Sequence, residues 1–154
     1  MFLFDFNYAT MQRTWRNIYP HGKGLIMSRQ EILSDIEATL GIVPGFMGGM
    51  SDMNLEHSWG FLKDFLMVDT ALSAKTKALI GIGASATFRC DYWIPFLTGL
   101  AQLSGASPEE IDEAITVASG VARDSVYLNG VAYDHGTFMN ELAQVAEHAQ
   151  SNGS

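Results

Sequence analysis

Two short sequences, Ser28-Arg29-Gln30-Glu31 and Ser107-Pro108-Glu109-Glu110, constrain this chain more than any other feature. In the first, the serine oxygen accepts an orphan amide and the glutamate reaches back, so a helix begins there. Ile32, Ile36 and Leu40 then recur at helical spacing, and Gly41 ends the element. The second places a cap, a proline at the first helical position and acids that the helix dipole favours. Its helix carries Ile111, Ile115, Val117 and Val121 towards Leu128, and Asn129-Gly130 breaks it. Between these starts, Asp52 is expected to cap a helix with Leu55, Trp59, Leu62 and Leu66 as its stripe. Ser73 or Ala74 opens another that runs to about Arg89, in which Gly81, Gly83, Ala84 and Ala86 admit a second backbone closely. A further helix starts near Asp91, with Pro95 in its first turn and Gly105 as its stop. The last runs from about Gly136 to Ala149 and presents Phe138, Leu142 and Val145. The segment from Gly41 to Met50, with Pro44 and further glycines, reads as a loop. No stretch alternates polar and apolar residues long enough for a strand, so the class is all-α.

A chain of 154 residues is expected to make one domain, here over 27–154. Residues 1–26 differ: they hold Phe2, Phe4, Phe6, Tyr8, Trp15 and Tyr19, and three bases against Asp5. Their charge of +2 leaves −10 for the remainder. They read either as an aromatic arm packing on the body or on a neighbouring subunit, or as an extension upstream of a start at Met27. A net charge of −8 without a Lys/Arg cluster argues against nucleic acid as a partner. No apolar run approaches the roughly twenty residues of a membrane span. Without a secretory signal pattern, the expectation is a cytoplasmic protein that does not bind membranes.

The sequence has one cysteine, Cys90, which excludes an internal disulfide and a cysteine-rich zinc site. It precedes a predicted helix start, where amides favour a thiolate. A lone cysteine also packs as a small hydrophobe, and both readings stand. His21, His57, His135 and His148 show no i, i+3 or i, i+4 pairing, so neither a metal nor a cofactor is expected. Met47, Met50 and Met53 can line an adaptable pocket or fill core. Gly81-Ile82-Gly83 lies inside a helical pattern and is weak as a phosphate loop.

Further motifs carry a resemblance. From Glu56-His57-Ser58-Trp59, through Leu72-Ser73-Ala74-Lys75-Thr76-Lys77-Ala78-Leu79-Ile80 and Cys90-Asp91-Tyr92-Trp93-Ile94-Pro95-Phe96-Leu97-Thr98, to Ser125-Val126-Tyr127-Leu128-Asn129-Gly130, the sequence resembles the carboxymuconolactone decarboxylase-like or alkylhydroperoxidase D (AhpD)-like family. The resemblance covers about half the chain. It implies an all-α bundle built around a helical hairpin, assembled as trimers or hexamers, in some cases through dimers. Redox-active members resemble a four-residue pattern: a glutamate, then C-x-x-C, then a histidine four residues on. Carried over by position, the first cysteine falls on Cys90, the second on Trp93, the histidine on Leu97 and the glutamate on Ala78. The centre is therefore degenerate, with Cys90 the one catalytic candidate retained. Two functions follow from the resemblance. One is a protein of peroxidase, antioxidant lineage limited to single-cysteine thiol chemistry. The other is a non-catalytic oligomeric binding protein for a small apolar or aromatic ligand. Its pocket would be formed by Phe88, Tyr92, Trp93, Phe96, Leu97 and Ala78, which equally read as filled core. A weaker reading moves catalysis to Glu56 or His57.

Overall fold

A computed structural model of the protein describes residues 27–152; the aromatic segment 1–26, whichever reading applies, lies outside the described residues. The described residues form helices without a strand, as two compact units, one ending at Phe65 and the other beginning at Leu66.

In the first unit, α1 (Arg29–Leu40) opens with the expected reciprocal cap. The Glu31 amide donates to Ser28 Oγ at 3.3 Å, and the Ser28 amide donates to Glu31 Oε2 at 2.6 Å. Gly41 closes it at φ 79°, where a side chain would be strained. The stretch expected as loop contains a helical turn, α2 (Gly45–Gly48). Pro44 presets its entry, and buried Met47 anchors a segment whose glycines gave no helical signal. Arg29 holds this region by donating to the carbonyls of Met50 and Gly48 and pairing with Asp52 at 2.9 Å.

The cap of α3 (Asp52–Gly60) is Ser51 rather than the expected Asp52, whose carboxylate is engaged by Arg29. Past Gly60 the helix widens into a π-helical segment, Phe61–Leu66. The stripe Leu55, Trp59, Leu62 and Leu66 is buried throughout, as its spacing predicts. One carboxylate ties α1 to this stretch. Asp35 accepts from Lys63 Nζ at 2.6 and 2.7 Å and from the Trp59 indole at 2.7 Å. Those hydrogen bonds, Lys63 first, hold the Asp35 carboxyl below its ordinary range.

The second unit is organised around α4 (Ala74–Phe88), capped by Ser73. Helix α5 (Trp93–Leu103) and helix α6 (Pro108–Gly130) both pack on it. Glycine makes both approaches close. A Cβ at Gly81 would stand 2.8 Å from Leu97 Cδ1 of α5. One at Gly83 would meet the Ala114 carbonyl and Ala118 Cβ of α6 at 3.4 and 3.5 Å. Because α4 is covered on two sides, its apolar residues form no single stripe. Ser107 and Glu110 reproduce the capping box at the start of α6. Glu110 also pairs with Lys75 of α4 at 2.8 Å, which with the Ser107 amide lowers its pKa. Helix α7 (His135–Asn152) starts one residue before the predicted Gly136, with Asp134 Oδ1 accepting from the Thr137 amide at 2.8 Å.

Candidate functional site at the turn between α4 and α5

Cys90 lies where the chain reverses between α4 and α5. Arg89, a non-glycine residue at φ 53°, ends α4 in the left-handed conformation. The Cys90 amide then donates back to the Ser85 carbonyl at 3.0 Å. The Cys90 carbonyl in turn accepts from the Ile94 amide at 3.2 Å, two residues ahead of the Tyr92 cap from which α5 begins. The residue is half-buried. Its backbone is thus bonded into both helices.

The other positions of the four-residue pattern divide sharply. Ala78 and Leu97 are 0% and 3% exposed. Leu97 covers Gly81, one turn along α4 from Ala78, so apolar packing occupies this part of the interface. Neither side chain can take up or release a proton. Trp93, the first residue of α5, is partly exposed and meets Phe96 edge-on, with centroids 5.5 Å apart at 84°. Phe88 and Tyr92 point outward, 82% and 86% exposed. Of the six residues read as pocket or core, two are buried in the helix interface and four present aromatic surface.

The remaining candidates are dispersed. His57 Nδ1 bonds to the Met53 carbonyl, one turn back on its own helix, at 2.8 Å. His135 and His148 are exposed on α7, and His21 lies outside the described residues. Met47 is buried, Met50 half-buried and Met53 exposed, so the three do not share one environment. No group of three or more His, Cys, Asp or Glu among the described residues is placed to hold a metal ion. No described helix is long and apolar enough to cross a membrane.

Two buried polar residues near the site were not singled out from sequence. Lys77 is buried beside Ala78 in sequence and donates Nζ to the Val68 carbonyl at 2.9 Å. Ser85 is buried and donates to the Gly81 carbonyl at 2.7 Å. Their signal was positional: both share the Ala74, Ala78, Ile82 face at helical spacing.

Fold and site together define an all-helical protein with one thiol at the turn between two tightly packed helices. The family model described as the carboxymuconolactone decarboxylase family matches residues 53–133, just over half of the chain, and the chain belongs to that family. No curated protein and no solved structure matches it.

Proposed function

We propose that this protein retains the scaffold of the family's antioxidant, alkylhydroperoxidase-like branch and carries out single-thiol chemistry at Cys90. The observation that supports this reading is the contrast within one helix pair. Cys90 stays half-buried at the turn, while the positions of the resembled proton relay, Ala78 and Leu97, are shut into core. A two-thiol cycle within one chain has no second thiol, since Cys90 is the only cysteine in the sequence.

In the proposed step the Cys90 thiolate attacks the terminal oxygen of a hydroperoxide. The O–O bond breaks, the alkoxide leaves and takes a proton from water, and the sulfur becomes a sulfenic acid. A low-molecular-weight thiol then attacks that sulfur, releasing water and forming a mixed disulfide. A second such thiol restores Cys90 and departs as the oxidised disulfide. The protein works in the cytoplasm as a homo-oligomer, a trimer or hexamer in keeping with the resemblance, and the exposed apolar surface of its second unit supports that assembly.

The test is mass spectrometry after one equivalent of hydroperoxide, with a sulfenic-acid trap in one arm and a small thiol in the other. The reading predicts trapped sulfenic acid in the first and the mixed disulfide in the second, both absent from Cys90→Ser. An unmodified Cys90 in both arms contradicts it.

The outward set Phe88, Tyr92, Trp93 and Phe96 favours a second reading, a non-catalytic protein that binds a flat apolar molecule. Such binding raises the melting temperature by mass action. No shift across a series of aromatic acids and quinones removes it.

A further inference from the structure

Helix α7 is 18 residues long, yet its described side chains are all exposed apart from half-buried Phe138. No other helix of the described chain packs along it. Its sequence is not that of a solvated helix. Phe138, Leu142, Val145 and Ala149 follow one line at spacings of four, three and four, with Gln144 and Glu147 on the other side. A solitary helix of this length is marginal in water, and an apolar stripe stabilises a helix only when it is covered. Helix α6 carries a matching feature. Val117 and Val121 are exposed, and Leu128 at its far end is half-buried.

Val117, Val121, Met139, Leu142 and Val145 are between 45% and 67% exposed. At ordinary side-chain areas they leave on the order of 500 Å² of apolar surface, summed over the two helices. A standard interface takes about 800 Å² from each partner, somewhat over half of it apolar, so this surface is close to one half-interface. Stripe and receiving face are both present in every copy of the chain, which permits a reciprocal, closed pair.

We infer that α7 is an interlocking arm whose apolar stripe lies on α6 of a second copy of this chain. The inference deepens the homo-oligomeric part of the reading above by naming its surface, and it is independent of the thiol chemistry.

The full chain is tested by light scattering coupled to gel filtration at about 50 μM, well above the Kd of an ordinary homo-oligomer. A multiple of 16.9 kDa is expected. Leu142→Glu with Val145→Glu should lower that mass at least twofold, whereas Gln144→Glu on the polar side should not. A single-chain mass for the unaltered protein overturns both this proposal and the homo-oligomer reading, and assigns the cover of α7 elsewhere, for instance to residues 1–26. An unchanged mass in the double variant overturns the proposed surface alone. A second measurement does not depend on the charged variant folding. Val121→Cys with Val145→Cys, in a Cys90→Ser background, should oxidise to a covalent dimer on a denaturing gel; only single-chain product contradicts the docking.

Discussion

The α4–α5 pair and helix α7 both carry apolar residues, yet the first buries Ala78, Ile82, Leu97 and Ala101 where its helices cross and the second buries none. Backbone approach separates them. Gly81 lets Leu97 settle on α4, and Gly83 lets the Ala114 carbonyl and Ala118 of α6 approach α4 closely. Helix α7 has a stripe but no facing helix within the described chain. An apolar pattern therefore specifies that a face must be covered, while small residues at the crossing specify by what. Half-buried Cys90 sits at the turn beside that crossing.

Breaking the close approach should be costly in the first region and silent in the second. Leu97→Ala removes a buried side chain and should cost about 2–5 kcal/mol in urea unfolding. Val145→Ala, read at a dilution where the chain is single, should stay within about 0.5 kcal/mol. Equal effects would dissolve the distinction. Gly83→Val pushes a branched side chain against α6 and should cost about 1–3 kcal/mol. By contrast, a Cβ at Gly120 meets nothing within 4 Å, so Gly120→Ala should stabilise by up to about 1 kcal/mol through helix propensity. Opposite signs at two glycines in packed helices would sharpen the case that crossing geometry decides.

The smallest effect expected is on acid stability. Asp35 and Glu110 have folded pKa values below their ordinary 3.8 and 4.5, chiefly through hydrogen bonds from Lys63 and Lys75 respectively. The fold thus favours their ionised forms. Their contribution is complete above the ordinary values and is lost as pH falls through the depressed ones. Urea midpoints should hold steady on this account down to about pH 5 and then decline below pH 4. Asp35→Asn with Glu110→Gln should flatten that decline, and an unaltered acid limb would show that other carboxylates govern it.

Much of this was legible in sequence because helix starts are local chemistry. Ser28, Ser73 and Ser107 cap where their neighbours predict, and the Leu55-to-Leu66 stripe is buried as its spacing requires. What sequence did not reveal depends on tertiary partners. Ser51 and Asp52 are both good caps, and only Arg29, twenty-three residues away, decides between them by engaging Asp52. The turn Gly45–Gly48 depends on burying Met47, and the π-helical widening after Gly60 left no signal in residue type. At the site, the burial of Ala78 and Leu97 follows from helical period. The outward turn of Phe88 and Tyr92 does not, because it accompanies a left-handed Arg89 where a glycine would have been the usual sign.

The single-thiol chemistry proposed for Cys90 is tested most directly by the rate at which a thiol-reactive probe labels the native protein. At neutral pH the account predicts one equivalent of label per chain, attached faster than to free cysteine and absent from Cys90→Ser. Labelling that begins only when the helices are unfolded would mean that Cys90 is a packing residue, and would contradict the account.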